Sequence, residues 1–168
     1  MSDYFEKKPS FFGINLLTSL TLISASIFEI ILTSLSGLRL SIPITLMFLI
    51  YWNVATPTNI GFISIIFSAF ILDLYLGYYL GSNVIIFLIT SYLTQRYFHR
   101  FRALFRIQQS LIVALMVLLY QLIIISIFNS FSVSIILELL LLTFLCAILW
   151  PIIYGLLRYM RIKLTYGS

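Results

Sequence analysis

The chain is poor in nearly everything that soluble chemistry uses. Charged residues make up 9% of its 168 positions, against about 25% in an ordinary globular domain. There are five acidic residues, one cysteine and one histidine. A single thiol, Cys146, excludes an intramolecular disulfide and a thiolate metal cluster. His99 stands among arginines, and the carboxylates are dispersed, so the clustered ligands that a metal site needs are missing. No GxxxxGK[ST] loop is present to cradle a phosphate. Intramembrane proteolysis would need a nucleophile and base paired at bilayer depth, yet Asp73 has no second aspartate near it, Asp3 being in the N-terminal tail. The expectation is a non-enzyme with no cofactor and no metal.

What the chain has is hydrocarbon. Its hydrophobic share is 62% and its mean hydropathy +1.13, beyond the roughly 45–50% of soluble domains. It therefore reads as an all-α integral membrane protein. Apolar runs cover 11–35, 42–55, 60–79, 83–93, 107–128 and 133–157. The first is too long for the core of a signal peptide and lacks a small-residue cleavage site, so it is expected to be a retained helix. The run at 42–55 makes only about 21 Å of helix, marginal against about 30 Å of hydrocarbon.

Charge settles the count. The basic residues fall as Lys7 and Lys8; Arg39 alone; Arg96, Arg100, Arg102 and Arg106; then Arg158, Arg161 and Lys163. If all six runs cross, nine of the ten share one side and Arg39 lies opposite. The preference of Lys and Arg for the cytoplasmic side then predicts six transmembrane helices in a single bundle with both termini cytoplasmic. The expected organisation is a tail at 1–10, a membrane domain at 11–157 with a basic loop at 94–107, and a basic tail at 158–168. Turns are expected at 36–39 with Pro43, around Pro57 with Thr58-Asn59, and at 129–132. Trp52, Tyr92, Trp150 and Tyr154 are expected near the inner boundary, as amphipathic rings prefer. Pro151 reads as a structural turn.

Three acids share a depth. Glu29 and Asp73 come late in outward-running helices and Glu138 early in an inward-running one, which puts all of them in the outer half with Arg39 as a candidate counter-charge. A charge near the bilayer centre costs about 2.5–3.5 kcal/mol on insertion scales, so such residues need a compensating role. Two readings stand side by side: a polar site or partner contact built by Glu29, Asp73, Glu138 and Arg39, or helix-terminal carboxylates bonded to backbone. Asp73 is followed by Gly77 and Gly81, which permit a tight exit from the helix. The Gly77–Gly81 spacing also matches a helix-dimer motif, but among tyrosines at a span's end it reads as a turn.

Placed on a helix, residues 96–107 put Tyr97, Phe98, Phe101, Leu104 and Phe105 on one face and the four arginines with His99 on the rest. That predicts an interfacial helix whose Arg96, Arg100, Arg102 and Arg106 meet anionic lipids or a cytoplasmic protein. A pI near 9.5 does not imply nucleic acid here, because no folded stacking platform accompanies the charge.

Taken in order, Leu49-Ile50-Tyr51-Trp52, Pro57, Gly61, Leu72-Asp73-Leu74, Gly77, Gly81, Tyr92-Leu93, Gln108-Gln109 and Ile148-Leu149-Trp150-Pro151 resemble the MreD family of bacterial rod shape-determining proteins. The resemblance covers about 40–163, and the preceding residues match only as a hydrophobic span. It departs from the family at Thr58-Asn59, where a basic residue is expected. The resemblance implies a non-enzymatic subunit of the cell-elongation machinery in the plasma membrane. The implied direct partner is MreC, a bitopic protein, and through it MreB, RodA and a penicillin-binding transpeptidase. It also implies a fold similar to the six-helix substrate-binding component of energy-coupling-factor transporters, which open a pocket outward. The alternative function is accordingly a small-molecule or lipid-precursor binding or transport component.

Overall fold

The computed structural model describes residues 11–57, 61–77, 79–127 and 132–166. Lys7, Lys8 and Asp3 in the tail at 1–10, the turn residues Thr58-Asn59, Tyr78, and most of the turn at 129–132 lie outside the described residues. Seven helices follow one another: α1 (Phe11–Ser36), α2 (Ile44–Ala55), α3 (Phe62–Leu76), α4 (Ser82–Arg96), α5 (Phe98–Ala103), α6 (Arg106–Ile127) and α7 (Val133–Tyr166). Each apolar run of the sequence holds one helix, and α5 is the extra. Three of them, in α1, α6 and α7, are long and apolar enough to cross a membrane, and the chain is a helical membrane protein.

The core forms around α2. Ten of its twelve residues are buried, so this helix is apolar on every side because every side meets protein. At 1.5 Å per residue it is about 18 Å long, short of the hydrocarbon thickness. A helix surrounded by longer neighbours need not match that thickness, provided the polar groups at its two ends find partners.

Cross-helix hydrogen bonds give the direction of each helix. Ser19 bonds Ser64, Ser26 Oγ donates to the Ser68 carbonyl at 3.3 Å, and Ser34 meets the Tyr75 hydroxyl at 2.8 Å. Positions rise together along α1 and α3, so these two run parallel and α2 returns between them. Asn53 of α2 accepts from Ser91 and Gln95 of α4 at 2.9 and 2.8 Å, which makes that pair parallel too. Tyr120, late in α6, donates to Asn83, early in α4, at 2.8 Å, so these two run antiparallel.

Several expectations change here. Trp52 and Trp150 are fully buried within the protein, so their rings face the core and not lipid. Their rings pack with Tyr51, Phe101 and Tyr154 in edge-on contacts. Pro151 does not turn the chain: α7 continues through it. The basic segment expected from 158 onward is helical as far as it is described, since α7 continues to Tyr166. The expected helix over 96–107 is interrupted at Leu104-Phe105, and only Phe98–Ala103 forms α5. Gln109 Nε2 donates to the carbonyls of Phe101 and Leu104, and Gln108 Oε1 accepts from the Phe105 N–H, which ties this break to the start of α6.

Pro151 explains a contact that sequence reading does not reach. A proline in a helix has no N–H for the carbonyl four residues earlier, here that of Ala147. Ser110 of α6 donates its hydroxyl to the Ala147 carbonyl. The defect that proline makes in α7 is thus filled by α6, in a setting where an unpaired carbonyl is expensive.

Candidate functional site

The three acids, taken one at a time, all end on backbone N–H groups. Asp73 is buried in the last turn of α3. Its Oδ2 accepts from the Gly81 N–H at 2.8 Å; its Oδ1 accepts from the Asn83 N–H and the Ser82 hydroxyl, both at 3.0 Å. A carboxylate from the preceding helix therefore caps the N-terminus of α4, where orphan N–H groups and the helix dipole favour negative charge. The glycines make this possible. Gly77 closes α3 at φ 68° and Gly81 precedes α4 at φ 95°, a left-handed conformation that Gly adopts without strain.

Glu29 does the same for α2. It is buried in α1, and its Oε2 accepts from the Thr45 N–H at 2.9 Å, in the first turn of α2, where Pro43 at the N-cap offers no side-chain bond. Glu138 of α7 accepts from the Arg39 N–H at 3.2 Å. Arg39 thus meets Glu138 through its backbone, and among the described residues its guanidinium makes no ion pair with an acid. Glu29 and Glu138 hold opposite ends of the connection between α1 and α2, while Asp73 holds a different one. No hydrogen bond among the described residues joins one of the three acids to another.

The opposite end of α2 is held by cations. Arg102 Nε donates to the Val54 carbonyl at 2.7 Å and its Nη2 to that of Ala55 at 2.8 Å; Arg161 Nη1 reaches the same Ala55 carbonyl at 3.2 Å. Carbonyls left over at a helix C-terminus attract positive charge. The buried helix thus carries a carboxylate at its N-terminus and two guanidiniums at its C-terminus, each with the sign its dipole favours.

This divides the basic loop. Arg102 belongs to the fold, and Arg106 lies 4.2 Å over the Tyr154 ring. Arg96 and Arg100 are exposed, beside Tyr92 and Tyr97 respectively. Phe101, expected on the lipid-facing side, is buried against Trp150 instead. Pro57 stands in the turn after α2, as its sequence suggests.

Sequence reasoning missed the interior polar set. Asn53, Ser91 and Gln95 link α2 to α4, and Gln121 Nε2 donates to the Ser41 carbonyl at 2.6 Å. Their signal was amide side chains inside apolar runs, a pattern as telling as an acid at that depth. One cluster is incompletely bonded: the Ser41 and Thr45 hydroxyls lie beside the Glu29 carboxyl, and Gln121 Oε1 is a buried oxygen without a hydrogen-bond partner among the described residues.

No curated protein and no solved structure matches the chain. The family model of the rod shape-determining protein MreD matches residues 10–160. That is most of the 168 residues, and the chain belongs to the MreD family of shape-determining membrane proteins.

Proposed function

We propose that the chain is a non-enzymatic scaffold of the cell-elongation (rod) complex, crossing the bacterial plasma membrane six times with both termini in the cytoplasm. In this reading α1 to α4, α6 and α7 cross, and the arginine-rich end faces the cytoplasm. The scaffold binds MreC directly and through it meets MreB, RodA and a penicillin-binding transpeptidase, which helps to control lateral peptidoglycan synthesis.

The observation that carries the reading is the use made of the charges. Asp73, Glu29, Glu138, Arg102 and Arg161 each bond the backbone of another helix or connection in this chain. Groups engaged in this way fix the shape of a bundle and do not act as acids, bases or nucleophiles. The parallel pairing of α1 with α3 and of α2 with α4 supports the alternating course. Co-expression with MreC tests the partner: the two should purify together in mild detergent, and failure to associate would end the scaffold reading.

A second reading is a small-molecule or lipid-precursor binder opening outward. The buried Gln121 Oε1, unpaired among the described residues in the cluster beside the Glu29 carboxyl, favours it, because buried acceptors normally have partners. Native mass spectrometry tests it: a bound solute whose retention falls in Gln121→Leu supports a pocket ligand, and an unaltered apo mass across lipid extracts counts against one.

A further inference from the structure

Between α4 and α6 the bundle leaves a groove of about 130 Å³, walled by Ile86, Ile89 and Leu93 on one side and Met116, Leu119 and Ile123 on the other. The two helices diverge because each has its main neighbours elsewhere: α4 packs on α3 and α2, α6 on α7. Thr90 and Tyr120 complete the lining, and the Tyr120 hydroxyl is already bonded to Asn83. The slot therefore offers hydrocarbon and little else.

The foot of the groove is basic. Lining positions 86, 89, 90 and 93 form one stripe of α4, and helical spacing carries that stripe on to Arg96, the last residue of the helix. Tyr97 caps α4, its N–H bonding the Leu93 carbonyl at 3.1 Å, and α5 starts on the next residue, its Phe101 N–H bonding the Tyr97 carbonyl at 3.0 Å, so Arg100 stands one turn beyond this joint. Arg96 Nη1 rests on the Tyr92 hydroxyl at 3.2 Å, and the Arg100 guanidinium lies 6.0 Å from the centre of the Tyr97 ring. Both arginines are exposed, and neither bonds α2 among the described residues, whereas Arg102 does. An apolar slot ending at two outward guanidiniums is complementary to a molecule with a hydrocarbon tail and a phosphate head.

We propose that this groove holds an acyl chain of one anionic phospholipid, whose phosphate is bound by Arg96 and Arg100. The assignment rests on the membrane reading above but not on the partnership with MreC, so either can fail alone. The arginines select the headgroup by charge, and the groove holds the chain by excluding other hydrocarbon.

The test is native mass spectrometry of the full chain, extracted into detergent with equal amounts of phosphatidylglycerol and phosphatidylcholine of the same chain length. The wild type should retain one phosphatidylglycerol in preference. Arg96→Gln with Arg100→Gln should weaken that retention on the order of 20-fold, from about two surface guanidinium contacts. Ile89→Trp, which fills the groove, should weaken it for both lipids; Leu119→Trp does the same from the opposite wall if the first variant fails to fold. Equal retention of the two lipids in the wild type overturns the proposal. So does loss in the double arginine variant with no change in either tryptophan variant, which would mean headgroup binding without a chain site. Full competition by inorganic phosphate would assign the arginines to a free anion. Loss of a co-purified protein in the tryptophan variants, with lipid retention unchanged, would give the groove to that protein.

Discussion

Replacing Ser110 by Ala removes one hydroxyl, and the consequence should depend on a residue in another helix. The Ser110 hydroxyl bonds the Ala147 carbonyl, which lacks a helical donor because Pro151 follows it by four residues inside α7. Without the hydroxyl the carbonyl is left unpaired, a penalty of about 1–3 kcal/mol in a buried setting. Measured interhelical bonds in membrane bundles average about 0.6 and reach about 1.7 kcal/mol. A loss of about 1–1.5 kcal/mol is the reasonable expectation from these two ranges. For a domain of this size that is a fall in Tm of roughly 2–6 °C. In a Pro151→Ala background residue 151 supplies its own N–H to Ala147, so Ser110→Ala should then cost under about 0.5 kcal/mol. The assay is thermal unfolding of the four proteins in one detergent, read as a double-mutant cycle. Equal losses in the two backgrounds would refute the argument, since the serine would then be acting on something other than the proline's vacancy.

Four further outcomes follow from the same geometry. Asp73→Ala removes the acceptor for two N–H groups and a hydroxyl and should lower stability by about 2–4 kcal/mol. Asp73→Asn, which keeps an acceptor, should lose less than Asp73→Leu in the same melting experiment. Arg102→Gln should cost about 1 kcal/mol by uncovering the α2 carbonyls, with Arg161 limiting the damage through Ala55. Gly77→Ala and Gly155→Ala should differ in sign. Both have open space around the added methyl, but Gly77 sits at positive φ. The first should destabilise by about 1–2 kcal/mol, and the second, inside α7, should stabilise by up to about 1 kcal/mol.

The helices were legible in the sequence; the acids' partners were not. Apolar length located every long helix, and a carboxylate inside such a run marked Asp73 for attention before any coordinates. What it touches depends on Gly77 and Gly81 folding the chain back, a three-dimensional fact that composition only hints at. Arg102 was hidden for a related reason. On a helical wheel it is one of four arginines on a basic face, and only the packing of α5 against α2 brings it to the end of α2. Pro151 misled because proline is ordinarily a helix breaker, and its compensation comes from Ser110, 41 positions earlier in the chain. That Trp52 and Trp150 face inward was hidden because residue type gives no radial direction; the aromatic cluster around them does.

The central claim, six crossings with the arginine-rich end in the cytoplasm, has a direct measurement. The chain's one cysteine, Cys146, is buried, so a Cys146→Ala background accepts single reporters at the exposed positions Ser36→Cys, His99→Cys and Ile162→Cys. Treated with a membrane-impermeant maleimide on intact spheroplasts, the reporter at 36 should label at once. Those at 99 and 162 should label only after permeabilisation. Labelling of 36 and 99 from the same side would mean that α2, α3 and α4 do not all cross, and the account would be wrong.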